Sequence, residues 1–205
     1  MTFRPRLAAA AFAASSLLLA GCAVPGQGTP GVALTVDETT VTTAELDALA
    51  AQWAEDSDGL AVPDRRALAT FAAMGPELLA ATEAQGAPIR EADALTITTA
   101  WFENAGATDP EPSDEVVESS RAMLALYVLA YSDPTFEGIR EIADRAAAEG
   151  EFSPRVGEFS SDALIESINA AVGTAESAGL GNFSFITFLG VSGFSDTTAP
   201  WAARG

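Results

Sequence analysis

The chain has 205 residues with ten basic and 29 acidic side chains, which gives a formal net charge of −19 at pH 7. Histidine and lysine are absent and there is a single cysteine, so histidine-based catalytic triads, histidine metal sites and internal disulfides are excluded. A surface this acidic repels nucleic acid. We therefore expect no nucleic-acid partner, no metal and no cofactor.

The first 21 residues have the organisation of a secretory signal peptide. Two arginines precede an apolar run from Leu7 to Ala20; this run of about 14 residues is shorter than the roughly 20 that a membrane-spanning helix needs. The sequence Leu19-Ala20-Gly21-Cys22 resembles the lipobox of bacterial lipoproteins. The resemblance implies cleavage between Gly21 and Cys22, with lipid on the thiol and the new amino group of Cys22. The alternatives are an ordinary transmembrane anchor or a plain secreted protein.

Residues 22–31 form a Gly/Pro-rich tether between the lipidation site and the first predicted strand. Because the acidic domain repels anionic lipid headgroups, the acyl chains on Cys22 must hold the protein at the membrane, and stable anchoring takes two or more chains. We therefore expect a lipid-anchored protein at the extracytoplasmic face of the cell membrane.

The next elements in chain order are a short strand and a well-defined helix start. Apolar residues at every second position predict a strand over Val32–Val36, and Thr40–Val41 is a candidate for a brief pairing. Thr42 and Glu45 match a capping box, which predicts a helix from there to about Glu55.

Five further helices are predicted from apolar periodicity, capping residues and glycines. They cover about residues 65–85, 90–104, 114–132, 133–149 and 161–172. Gly75-Pro76 interrupts the first of them without changing its helical phase, which favours one kinked helix. Asp133-Pro134 is the expected start of the helix that ends near residue 149, and Arg145 of this helix is expected to pair with Glu141.

The region after the fifth helix predicts an extended segment over Phe152–Phe159. Its part Arg155–Phe159 is the expected partner of the lone strand Val32–Val36, with Pro154 at the start of the new strand. The fold class is therefore mainly α, a five- or six-helix domain with a short two-stranded pairing between its N-terminal strand and a late segment. The apolar run Phe183–Phe194 either packs against this domain or forms a contact surface for a partner.

The order of these elements resembles the N-terminal chaperone domain of the SurA-like family, which is related to foldase lipoproteins and to the client-binding part of trigger factor. The likeness covers residues 32–159, followed by a C-terminal helix and an apolar tail over 160–205. It rests on three stretches: Ala33–Thr42, Leu78–Ile89 and Ser153–Phe159, the last containing Pro154, Arg155 and Gly157. Family members often carry a parvulin-type prolyl isomerase domain before this last stretch.

Here only Gly150–Ser153 lies between the last helix of the resembling region and that stretch, and the chain has none of the histidines of a parvulin site. The resemblance therefore implies chaperone-like binding of unfolded or extended polypeptides without isomerase or other enzyme activity. The alternative is a structural or interaction lipoprotein that docks one cell-envelope partner; a carboxylate-based hydrolase is a third hypothesis. The candidate residues for a polypeptide-binding groove are Trp53, Phe71, Met74, Trp101, Phe102 and Tyr131. Their helical spacing favours the alternative that they are core residues.

Overall fold

The computed structural model describes residues 30–37 and 39–196, and of residues 181–185 only the backbone. Six α-helices make up most of it, as predicted: α1 (Thr43–Asp56), α2 (Arg65–Ala84), α3 (Glu91–Ala105), α4 (Asp114–Ser132), α5 (Glu137–Glu149) and α6 (Ser161–Ala178). A 3₁₀ segment (Gly181–Gly190) follows α6. The strands are short: β1 (Val32–Val36), β2 (Thr39–Thr42), β3 (Glu151–Phe152), β4 (Glu158–Phe159) and β5 (Phe194–Ser195).

Helix α4 lies at the centre of the bundle, as its apolar sequence predicts. It contacts α1, α2, α3, α5 and the 3₁₀ segment, and its most extensive contact is with α2. Helix α2 continues through Gly75-Pro76 without interruption. A carbon atom added at Gly75 would lie 3.1 Å from Cβ of Ala122, so the absence of a side chain at Gly75 is what lets α2 and α4 approach this closely.

The capping box at the start of α1 is confirmed. The amide of Glu45 donates to Oγ1 of Thr42 over 3.1 Å, and the amide of Thr42 donates to Oε2 of Glu45 over 2.7 Å. Two of the backbone donors that a helix start leaves free are thereby satisfied. Strand β2 runs directly into this cap, so the capping box fixes the angle between the strand and α1.

The predicted pairing of the N-terminal strand with a late segment is confirmed, and so is the brief pairing at Thr40–Val41. The residues predicted to form the late strand are wrong. Strand β1 pairs antiparallel with β2 and with β3, where Leu34 lies opposite Phe152. The chain then turns at Pro154, with the amide of Val156 donating to the carbonyl of Ser153 over 2.9 Å. Because this turn carries the chain away from β1, the predicted segment Arg155–Phe159 contributes only β4, which pairs with β5 instead.

Helix α5 begins four residues later than predicted. Asp133 accepts hydrogen bonds from the hydroxyl of Thr135 (2.7 Å), the amide of Thr135 (2.9 Å) and the amide of Glu137 (3.1 Å). Its oxygens thus hold a turn, and the helix starts only after Phe136, whose φ of 56° is outside the helical region. The expected partner of Arg145 is wrong as well, since its guanidinium forms an ion pair with Glu77 of α2.

The apolar run Phe183–Phe194 packs against the helices wherever its side chains are described. Phe188, Val191 and Phe194 are buried, and the amide of Gly193 donates to Oγ1 of Thr70 on α2 over 3.0 Å. The ring of Phe194 lies 5.0 Å from that of Phe159 and 5.3 Å from that of Phe152. These contacts favour the packing alternative over an exposed contact surface.

Candidate functional site

Two of the predictions made from the sequence concern residues outside those that the structure describes. They are the signal-peptide cleavage site between Gly21 and Cys22 and the lipidation of Cys22. They remain predictions from the sequence. Among the described residues, no helix is both long enough and apolar enough to cross a membrane.

Most of the aromatic side chains proposed for a polypeptide-binding groove are core residues. Trp53, Trp101 and Phe102 are at most 1% exposed, and Met74 is also fully buried. The indole of Trp53 meets the rings of Trp101 and Phe102 edge-on at 5.5 and 5.7 Å. As open groove residues these four predictions are wrong, because at helical spacing the largest apolar side chains are the ones that fill the bundle interior.

The other two proposed groove residues have different positions. Phe71 is almost fully buried, but one face of it lines a groove described below. Tyr131 is 45% exposed, and its ring packs at a tilt against that of Tyr127, with 4.7 Å between the ring centroids. It is not among the residues that line the groove.

Pro154, Arg155 and Gly157, which belong to the last stretch of the SurA-like resemblance, lie in and just after the turn that follows β3. Pro154 lies in the turn after β3, and Arg155 is exposed on the surface. Gly157 has φ 126°, and a carbon atom added to it would come within 2.2 Å of the carbonyl oxygen of Ser195. Gly157 is therefore required for the close approach of β4 and β5.

An apolar groove of about 840 Å³ lies between α1, α2 and α4. Its floor consists of buried residues on α2 and α4, and its walls are partly exposed apolar residues on α1 and α2. The floor residues are Leu68, Phe71, Gly75 and Ala122; the wall residues are Ala48, Leu49, Ala72, Pro76 and Leu79. Because four of these nine are alanine or glycine, the groove has room for large apolar side chains from a ligand.

The groove wall contains a proline that changes the backbone hydrogen bonding of α2. Pro76 lies inside α2 and has no amide hydrogen, so the carbonyl of Ala72 lacks the donor that the fourth residue along a helix normally provides. Both residues line the groove.

Acidic side chains surround this apolar surface. Glu45 of α1 and Glu115 and Glu118 of α4 are exposed at the rim of the groove, where Gln52 and Ser119 are half-buried. The pKa of Glu45 is held below its usual value because the amide and the hydroxyl of Thr42 donate to its carboxylate. Glu45 therefore stays ionised throughout the neutral range.

The N-terminal segment enters the domain at the same end of α1 as Glu45. The carbonyl of Gly31 accepts a hydrogen bond from the amide of Thr43 over 2.9 Å, and Thr43 is the first residue of α1. The point where the tether joins the domain is therefore within one helical turn of the groove rim.

The groove is an arrangement that can bind an apolar ligand. Among the described residues, no three histidine, cysteine or acidic side chains are placed to hold a metal ion. The sequence reasoning selected large aromatic residues and so missed Ala48, Leu49 and Leu79. The signal that points to the groove is Gly75-Pro76, a pair that ordinarily ends a helix, inside a long apolar one.

The chain was compared with known proteins at three levels. No family model matches it, and neither a curated protein nor a solved structure does. The function of the chain is therefore inferred from its residues and their geometry.

Proposed function

We propose that this protein is a lipoprotein that binds unfolded or extended segments of other polypeptides, without covalent chemistry. Lipid on Cys22 anchors it at the extracytoplasmic face of the cell membrane. The observation that supports binding best is the apolar groove between α1, α2 and α4. The lipobox-like sequence before Cys22 supports the anchoring.

The character of the groove suits a polypeptide ligand with a varied sequence. Its floor and walls are apolar, and side chains such as Leu49 and Leu79 can change rotamer to fit different partners. Pro76 has no amide hydrogen to donate to the carbonyl of Ala72, and we infer that a backbone amide of the ligand donates to this carbonyl instead. This combination favours apolar segments without demanding one sequence, and it agrees with the activity implied by the resemblance to SurA-like chaperone domains.

Blocking the groove tests the binding proposal. Ala48 and Ala51 both lie exposed on α1, but only Ala48 lines the groove. The substitution Ala48→Trp fills the groove, whereas Ala51→Trp places the same ring on the same helix outside it. We expect Ala48→Trp to weaken binding of a chemically unfolded model protein about tenfold or more, which corresponds to about 1.4 kcal/mol. Ala51→Trp should bind as the parent protein does.

The measurement is suppression of aggregation of the unfolded model protein, with albumin as the unrelated control. The parent protein should suppress aggregation at a near-equimolar ratio, and Ala48→Trp should not. Absence of suppression by the parent, or equal suppression by both variants, contradicts the proposal. Circular dichroism of each variant checks that the helices are retained.

The anchoring proposal has a direct test in the mass of the mature N-terminus. We expect the native chain to begin at Cys22 and to carry the added mass of its acyl chains. The Cys22→Ala chain should lack this mass and should leave the membrane fraction or remain uncleaved. A native chain that is unmodified at Cys22 contradicts the proposed anchor.

The alternative, a structural lipoprotein that docks one envelope partner, loses the contact surface first considered for it. Phe188 of the 3₁₀ segment and Phe194 of β5 are buried, so neither can contact a partner unless the segment that carries it leaves its place in the fold. A dedicated partner would have to use another surface.

A further inference from the structure

We propose that the ligands of the groove are polypeptide segments in which bulky apolar residues are flanked by arginine or lysine. The inference rests on the proposed function, since it names the class of segment that the same groove prefers. It combines two features of the site, the apolar residues that form its floor and walls and the acidic residues that form its rim.

The rim is strongly negative because its carboxylates are only partly neutralised within the protein. Arg121 pairs with Glu118 over 2.6 Å. Within residues 30–37 and 39–196, no arginine forms an ion pair with Glu45 or Glu115. These two carboxylates therefore remain available for cations of a ligand.

The rest of the chain adds to this preference. The net charge of −19 creates a negative potential around the whole molecule, which draws cationic segments towards it. An apolar surface between carboxylates strengthens the local field, because the low-dielectric walls concentrate it. A segment bearing Glu or Asp next to its apolar residues meets repulsion at the same rim.

The apolar floor sets the other half of the specificity. Where α2 and α4 approach each other, the floor has no side chain at Gly75 and only a methyl group at Ala122. A leucine, phenylalanine or methionine of the ligand fills this space, while its flanking cations reach Glu45 and Glu115 at the rim. A cationic segment without such residues gains only exposed ion pairs, each of which contributes little.

The experiment compares two labelled short peptides that share one apolar sequence and differ only in whether arginine or glutamate occupies the intervening positions. The protein is purified as its host produces it, in a neutral detergent, and detergent micelles alone serve as the blank. We expect the arginine peptide to bind about tenfold more tightly at low salt. In 1 M salt, where the screening length is about 3 Å, the difference should disappear.

Two triple variants separate the rim from the net charge. The first carries E45Q, E115Q and E118Q, where glutamine still suits the capping box at position 45. The second carries E83Q, E103Q and E166Q, three exposed glutamates that do not line the groove. We expect the first triple to lose about fivefold or more of the affinity for the arginine peptide, and the second less than about twofold.

The outcomes distinguish failure of this inference from failure of the proposed function. Equal binding of the two peptides, with both blocked by Ala48→Trp, overturns the charge preference and leaves polypeptide binding intact. Equal losses in the two triple variants also overturn it, because net charge alone then attracts the peptide. If neither peptide binds, the proposed function itself is contradicted.

Other occupants of the groove would give their own results. A rise in affinity after deletion of residues 197–205, which include Trp201 and Arg204, would show that this segment occupies the groove and would overturn the inference. A doubled particle mass that Ala48→Trp abolishes would assign the groove to a second copy of the chain, with the same consequence.

Discussion

Two carboxylates, those of Glu45 and Asp133, each hold the start of a helix in a different way. Glu45 accepts from the amide and hydroxyl of Thr42 at 2.7 and 2.8 Å. Asp133 accepts from the hydroxyl and amide of Thr135 and from the amide of Glu137. The first arrangement follows from spacing alone and was predicted. The second was not, because an aspartate before a proline reads equally as a helix cap and as a turn.

These hydrogen bonds predict how stability depends on pH. The pKa of Glu45 is lowered from 4.5 chiefly by the amide of Thr42, and that of Asp133 is lowered from 3.8 chiefly by the hydroxyl of Thr135. A lowered folded-state pKa stabilises the fold at pH values above the unfolded pKa, and the contribution is lost as the pH falls through the folded value. We expect the free energy of unfolding from urea titrations to be flat near neutral pH and to decline below about pH 4.5.

The variant Thr42→Ala provides the control for this prediction. It removes the hydroxyl that accepts from the amide of Glu45 and donates to the carboxylate of Glu45, while the amide at position 42 still donates to that carboxylate. The loss should cost about 1 kcal/mol at pH 7. Its decline in acid should be shallower, because the folded-state pKa of Glu45 then lies closer to the unfolded value. A pH profile identical in shape to that of the parent would contradict the role assigned to Glu45.

At the scale of elements, the helices were predictable, and so was the pairing of β1 with a late segment. The residues of that segment that form the pair were not predictable. The periodicity of apolar residues fixes where α2, α3 and α4 lie to within one or two residues. Strands of two residues, such as β3 and β4, carry no periodic signal. Their partners are chosen by the turn at Pro154 and by the close contact of Gly157 with Ser195, which only the folded arrangement reveals.

The contacts of the C-terminal segment predict that it is an integral part of the fold. Phe194 is buried and packs edge-on against the stacked rings of Phe152 and Phe159. We expect Phe194→Ala to lower the free energy of unfolding by about 3–5 kcal/mol, the usual range for removing a buried phenylalanine ring. Urea unfolding followed by circular dichroism measures this loss.

The exposed Leu95 offers a matched control for that substitution. Leu95→Ala removes an apolar side chain from a surface position of α3, and its effect should stay within about 0.5 kcal/mol. Equal effects of the two substitutions would mean that β5 is not packed in solution as the structure describes.

At the scale of the whole molecule, the presence of an apolar groove was predictable from the sequence, but its location was not. Resemblance to a chaperone domain implied an apolar binding surface, and Phe71 is the one predicted residue that lines it. The remaining lining residues come from three helices, and their convergence depends on how α1 packs against α2 and α4. Sequence periodicity identifies the inward face of each helix but not the gap that three packed faces leave.

The large excess of acidic residues predicts a response to salt. Like charges spread over one surface destabilise the folded state through mutual repulsion, and salt screens this repulsion. The ion pairs among the described residues have mostly exposed partners and contribute little in the opposite direction. We expect the Tm at neutral pH to rise by several degrees when potassium chloride is raised to about 0.5 M; an unchanged or lower Tm would contradict this.

The hydrogen bond between Gly31 and Thr43 has a consequence for how the protein works on a membrane. With lipid on Cys22 as proposed, the segment up to Gly31 acts as a leash of at most about 30 Å, attached beside the groove. The groove is then confined to a thin layer above the bilayer. For chains that emerge into this layer, the effective concentration of the groove is far above its average in the compartment. Weak and easily reversed binding is sufficient in such a layer, because a segment that is released is soon met again.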